Sequence, residues 1–438
     1  MKDVLALREE PFMTTPEDYR AAIEFQLSGY MSSVGRVDVM RTWKEVAAEL
    51  MAHPEFGRRL KPTRAVKQQV ETLTAGLTGE REKMEVVYDF VRTTITWNGE
   101  YGGIAEQSLN DVLKTQSATN TESTLLLVSM LRAAGLEAHP VLISTRSHGQ
   151  IMDVYPLLSQ FNATLAAVNV GGETLLLDAT DPLRPYTLLP TEALNGKGWL
   201  VREPEPAWVS IDAKSRYLHK MMLDATLDAD GTLTASLEAS DDGYSALAKR
   251  YQLKEVDHAD FAAGVLLGDL DEVQIDSCMI VNESAVTEPL KTTAGFSAPG
   301  YAQVAGDFIY FNPMPVGRLE ENPLRLPRRT FPVDLAYPRS YLYTLRLRLP
   351  EGYGVQELPE QARILLPQEG GHFQRGMNVK EGVLTVQTQF VIKRSMFHPR
   401  HYASVRSFYE QVVAAGAEQV VLKQVDPSNS GNQEGDRP

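Results

Sequence analysis

Residues 119–135, TNTESTLLLVSMLRAAG, decide how the rest of the chain is read. Leu125, Leu126, Val128, Met130 and Leu131 wrap too far around a helix for it to lie on a surface, so the spacing predicts a helix buried at a domain centre. Its first turn is polar. Thr119, Asn120 and Thr121 are cap-type residues with Glu122 close behind, which suits the positive end of a helix aimed at a cleft.

Working outward, the chain has 438 residues, room for two or three domains, and an apolar share of 43% that excludes a fully disordered chain. Its 43 basic and 57 acidic residues give a formal charge of −14, which argues against a nucleic-acid or anionic-membrane surface. A local basic patch at Arg325, Arg328 and Arg329 is the exception the sequence allows. The single cysteine, Cys278, rules out an intramolecular disulfide and a cysteine-based zinc site, and it reads as a lone buried core thiol. No apolar run reaches the roughly 18 residues needed to span a bilayer, and the start, MKDVLALREEPF, is too charged for a signal peptide.

Before the central helix, alternation around Ile23, Phe25 and Leu27 predicts a strand within 16–30. From about 40 to 95 the period becomes helical, through Met40, Trp43, Ala47 and Leu50, then Val66, Val70 and Leu73, then Met84, Val87, Val91 and Ile95. After the central helix, strands are expected at 139–144, 161–170 and 174–177, with Gly171-Gly172 closing a hairpin. Pro204, Pro206 and Trp208 mark a boundary, and beyond it the pattern turns to β. Met221 to Leu227, the turn DADG at 228–231, and Leu233 to Ala239 form a hairpin. Two helical segments, about 241–252 and 257–267, precede strands near 273–283, 301–311, 341–349 and 383–392. A last helix carries Tyr402, Val405, Phe408, Tyr409 and Val412, a short strand follows at 419–422, and the polar tail reads as disordered.

The central helix, the strand HPVLIS at 139–144 and the motif LLLDAT at 175–180 together resemble the nucleophile helix and following strands of the transglutaminase-like, papain-fold superfamily. FPVDLAYP at 331–338 and LPEGYGVQELP at 349–359 are similar to the β-domain that follows such cores. The fold class this implies is α+β: a transglutaminase-like, papain-type core of helices and antiparallel sheet, followed by an antiparallel β-sandwich-like domain. The expected division is an N-terminal strand and linker at 1–35 left over from an upstream β-domain, the core at 36–205, the β-rich domain at 206–424 and the tail at 425–438. The resemblance further implies an exported, periplasmic or cell-envelope protein of Gram-negative-type bacteria, and a chain truncated or processed at its start.

In active members of that superfamily the helix begins with Cys, and later strands carry His and then Asp. Here the Cys position falls on Asn120, the His position on Ala163, and only Asp178 matches. An amide is not a practical nucleophile and a methyl group cannot accept a proton, so no catalytic residue is expected from the triad. Asp178 then keeps a local role, accepting hydrogen bonds from Thr180 and nearby backbone. The Trp97-Asn98-Gly99 turn borders the cleft in the resembling family. Trp97 and Asn98 read either as groove residues or as packing beneath a glycine-rich turn. His148, in a polar loop, reads as a replacement base for a hydroxyl such as Thr121 or as a solvated loop histidine. No metal-ligand cluster and no phosphate loop occurs in the sequence, so neither metal nor cofactor is expected.

Three readings follow. The first is a catalytically dead core kept as a binding or scaffolding module for peptide, glycan or an envelope protein. The second is a hydrolase or transferase with an unorthodox hydroxyl nucleophile near Thr121 and His148 as base. The third is a spacer whose groove is filled by its own loops.

Overall fold

The computed structural model describes residues 7, 9–21, 23, 27–38 and 41–425. The chain divides into two compact units: Met1–Glu9 with Met13–Lys214, and Glu10–Phe12 with Ser215–Pro438.

In the first unit a short hairpin, β1 (Gly29–Ser32) and β2 (Gly35–Asp38), precedes α1 (Trp43–Ala52), α2 (Arg64–Leu73) and α3 (Glu80–Thr94). Among the described residues of 16–30, the strand begins only at Gly29. Pro16–Tyr19 is a 3-10 helix started by Thr15, whose side chain accepts from the Glu17 amide, and Ile23 and Leu27 are exposed. Phe25, Met40 and the tail from 426 lie outside the described residues. The three helices form where the apolar spacing places them. Thr42 and Thr63 cap the first two with side-chain hydrogen bonds, and Val66, Val70, Met84, Val87 and Val91 face inward, almost fully buried.

A two-residue parallel bridge joins β3 (Thr96–Trp97) to β4 (Ser117–Ala118), with α4 (Leu109–Thr115) between them. Next comes α5 (Asn120–Ala133), the predicted central helix. Every residue from Asn120 to Leu131 is buried, because the helices before it cover one side and the sheet covers the other. That sheet is antiparallel, in the order β7 (Glu173–Leu177), β6 (Ala163–Val170), β5 (Ala138–Ile143), β8 (Gly196–Leu200), β9 (Ala207–Ile211). The last two strands have no clear alternation in sequence. Gly198 sits there because a Cβ would lie 2.6 Å from a Val141 methyl.

The second unit holds an eight-stranded sheet in the order β12 (Gln274–Val281), β13 (Leu290–Ala298), β11 (Leu233–Gly243), β10 (Tyr217–Leu227), β17 (Arg339–Arg348), β21 (Val383–Ile392), β20 (Gly371–Lys380), β19 (Ala362–Leu366). A smaller sheet runs β14 (Gln303–Ala305), β15 (Phe308–Phe311), β23 (Val420–Gln424), β18 (Tyr353–Glu357), and β16 (Val333–Asp334) pairs with β22 (Met396–Phe397). Leu223, Leu237, Phe296, Leu345 and Val386 of the large sheet share one core with Ile309, Phe311, Val420 and Leu422 of the small one, which gives the expected sandwich-like layering. The arrangement is antiparallel-rich but not purely antiparallel. β10 and β17 run parallel, in register from Tyr217 opposite Arg339 to Thr226 opposite Arg348.

α6 (Tyr244–Gln252) and α7 (His258–Phe261), the latter continued by a π-turn over Ala262–Leu266, follow the first hairpin, and α8 (Tyr402–Ala417) buries Val405, Phe408 and Val412 in a separate apolar cluster. Two sequence readings are corrected here. Cys278 is half-buried on β12, an outer strand of the large sheet, because only Ile280 of that strand is buried. Arg329 is not part of a surface patch. It is buried and donates to the Pro11 and Phe12 carbonyls at 2.7 Å each, which binds residues 10–12 to this unit.

Candidate functional site

The start of α5 is closed by hydrogen bonds. Thr119 is the cap: its hydroxyl accepts from the Glu122 amide, and the Glu122 carboxylate accepts from the Thr119 amide at 3.0 Å, a capping box. Glu122 is buried and also receives the Gln107 amide at 2.7 Å. The loop after Trp97 crosses this helix end and offers it three successive carbonyls. Asn120 N–H donates to Glu100 O at 2.8 Å, Thr121 N–H to Tyr101 O at 3.0 Å, and the Thr121 hydroxyl to Gly102 O at 2.6 Å. The Ser123 amide bonds back to Thr119 O, so the first-turn donors of the helix are all engaged. Gly102 adopts φ +70°, and a Cβ there would stand 3.2 Å from the Thr119 hydroxyl.

Asn120 is buried and its amide is used at both ends. Oδ1 accepts from the Thr164 amide at 2.7 Å, and Nδ2 donates to Asp178 Oδ2 at 3.3 Å. The first contact fills a gap in the sheet. Thr164 pairs with Leu142 on one side, but the β6–β7 ladder on the other begins only at Ala166 and Leu177. Ala163, the neighbouring residue, is buried opposite Ile143 at the start of β6. The structure therefore brings Asn120 and Asp178 into contact and places Ala163 one residue from the strand amide that Asn120 holds.

Asp178 is buried and saturated. Its Oδ1 accepts from the Thr180 amide at 3.0 Å, from the Thr180 hydroxyl, and from the Arg184 guanidinium at 2.8 Å, which also pairs with Asp181 at 3.0 Å. The Tyr88 hydroxyl donates to the Asp178 and Arg184 carbonyls, both at 2.9 Å, and burial pushes that phenol far above its ordinary value. Burial likewise raises Tyr101, with Glu192 and Asp178 adding to the effect. Sequence reasoning found the Thr180 contacts but missed Arg184, Thr164 and Tyr88. Arg184 lies in an irregular turn six positions after Asp178, where no periodicity marks a partner.

Of the groove candidates, Trp97 is half-buried; its indole donates to Glu100 O at 2.7 Å and its ring lies 5.5 Å from that of Tyr101. Asn98 is exposed and its Oδ1 accepts from the Glu100 amide at 2.9 Å. Both shape the loop over α5. The Thr121 hydroxyl is fully buried and, besides Gly102, meets that of Thr164 at 3.0 Å. His148 belongs to a different network: its Nδ1 lies 2.9 Å from the Ser144 hydroxyl, which donates to Gly149 O at 2.6 Å. Among the described residues no hydrogen bond joins His148 to Asn120, Thr121 or Asp178, no group of three His, Cys, Asp or Glu is placed to hold a metal ion, and no helix is long and apolar enough to cross a membrane.

Within this unit, residues 67–172 match the family model described as the transglutaminase-like superfamily. This stretch is similar to a transglutaminase-like core. Residues 307–422, in the second unit, match a domain of unknown function with a solved structure (DUF3858). Among solved structures, one described as a "putative protease" from Parabacteroides distasonis ATCC 8503 superposes with a TM-score of 0.54 at 14% identity, covering 92% of this chain and 63% of that one. The chain thus spans less than two thirds of that relative's length, and the likeness is one of fold. No curated protein matches this chain.

Proposed function

We propose that the transglutaminase-like core is a non-catalytic module that binds or scaffolds a peptide, a glycan or another protein of the bacterial cell envelope. The observation that carries this reading is Asn120: where a nucleophile would begin the helix, a buried amide spans the Thr164 amide and the Asp178 carboxylate. Acyl transfer needs a nucleophile, a base and donors free to receive an oxyanion. At this helix end the amide is not nucleophilic, Arg184 already neutralises the carboxylate, and the first-turn N–H groups are occupied by loop carbonyls and the cap. The periplasmic or envelope location, and the peptide or glycan partner, rest on the family likeness.

The competing reading is an amidase, protease or transferase with a hydroxyl nucleophile; the Parabacteroides protein is itself described as a "putative protease". Against it stands Thr121, whose proton is held by the Gly102 carbonyl and whose neighbourhood lacks His148. The deciding experiment is a turnover assay of the purified chain on fluorogenic peptide amides and on an amine-donor transamidation pair, run beside isothermal titration with extended peptides and glycan fragments. Saturable binding without turnover supports the proposal. Turnover that survives Cys278→Ser and vanishes in Thr121→Ala and His148→Ala would replace it with the enzyme.

A further inference from the structure

The second unit contains a cavity of about 630 Å³ that the core of the first unit plays no part in. Its floor is dictated by strand pairing. On β10, β17 and β21 the same face repeats every second residue, and the register sets Tyr217 beside Arg339, His219 beside Tyr341, and Tyr343 between Met221 and Thr388. These positions all line the cavity. One step further along the strands, Leu223, Leu345 and Val386 are sealed in the shared core of the two sheets. The cavity therefore opens where that core ends, and Phe390 and Tyr409, from the cluster around α8, continue its wall.

Two polar atoms of this floor, Tyr343 Oη and Arg339 Nε, are buried without a hydrogen-bond partner. A native fold rarely leaves such groups unpaired, because each costs desolvation with no return. The Thr388 hydroxyl, also buried, has only the Met314 sulfur at 3.5 Å. Charge points the same way. Lys249, in the wall, is held by Asp241 at 2.8 and 2.9 Å, and Asp241 also takes His219 at 2.7 Å and the Ser245 hydroxyl at 2.5 Å. Arg318 is paired with Glu320 at 2.9 Å, and Asp269 accepts the Gly317 amide at 2.7 Å. Arg339 has only aromatic company, the Tyr337 ring at 5.2 Å and the Tyr341 hydroxyl, and among the described residues no carboxylate pairs with it. An arginine keeps its charge at any physiological pH, so this guanidinium is a surplus cation at the edge of an aromatic chamber.

We infer that this cavity binds a small organic anion with an apolar or aromatic body, its acidic group on Arg339 and its body against Tyr341, Phe390 and Tyr409. A guanidinium only donates, which fits a carboxylate or sulfonate oxygen and leaves a neutral apolar molecule without the contact that orients it.

The test uses the full chain and two fluorescent probes of matched shape: 8-anilinonaphthalene-1-sulfonate, an aromatic anion, and N-phenyl-1-naphthylamine, its neutral counterpart. Expected are one-to-one binding of the sulfonate, at least tenfold weaker in both Arg339→Met and Arg339→Gln, with the neutral probe weaker on the native chain and indifferent to both changes. Arg339→Gln removes the charge but keeps a polar head, so it reports even if Arg339→Met fails to fold. Absence of sulfonate binding, equal affinity for the two probes, or sulfonate affinity unmoved in Arg339→Gln would overturn the inference.

Discussion

Replacing Asn120 with alanine tests whether its amide is a structural clasp. The change removes the acceptor of the Thr164 amide, which is buried and has no partner from β7 at that point, and it removes one donor from Asp178. Stranding a buried N–H costs about 1–3 kcal/mol, and Asp178, which keeps Thr180 and Arg184, loses about 1 more. The expected destabilisation of the first unit is therefore about 2–4 kcal/mol. All four tryptophans, Trp43, Trp97, Trp199 and Trp208, precede Lys214, so urea unfolding followed by tryptophan fluorescence reads this unit by itself. With a denaturant slope of about 3 kcal/mol/M, the midpoint should fall by roughly 1 M.

Asn120→Asp keeps the shape and reverses the chemistry. A carboxylate would face Asp178 Oδ2 at the 3.3 Å now spanned by the amide hydrogen, and like charge raises the pKa of one member of the pair. A carboxyl raised in the folded state binds more protons there than in the unfolded chain, so this variant should regain stability as the pH falls through that raised value. A midpoint within 0.2 M (roughly 0.6 kcal/mol at that slope) of the native one for Asn120→Ala, together with a pH-independent Asn120→Asp, would refute the bonded amide described here.

Other perturbations separate the remaining contacts. Gly102→Ala forces a side chain to φ +70° and against Thr119, and should cost about 1–2 kcal/mol in the same fluorescence titration. Lys249→Met strands Asp241 in the second unit and should cost about 3–5 kcal/mol by calorimetry, while adding Asp241→Leu should recover much of the loss. Burial, helped by Arg132 and opposed by Glu137, holds His139 below the ordinary imidazole value. The folded chain then binds fewer protons than the unfolded one just below about pH 6.5, so stability rises with pH across that window and His139→Gln should flatten the rise.

The amino-acid order alone determined the central helix, its cap, the helices α1 to α3 and the β10–β11 hairpin. Each is written in local terms: a 3.6-residue or two-residue apolar period, cap residues at fixed offsets, a DADG turn. It also fixed that the helix begins with an amide in place of a thiol. What the amide does was decided only by tertiary structure, because its partners Thr164 and Asp178 lie 44 and 58 residues away and the Arg184 that neutralises Asp178 sits in a turn without periodicity. The same holds for the second unit. Alternation named the inward face of β17, yet the parallel pairing with β10 and the cavity floor of Tyr217, Arg339 and Tyr343 depend on register between strands more than 100 residues apart. Such register follows from how whole faces bury one another, and a one-dimensional pattern does not carry it.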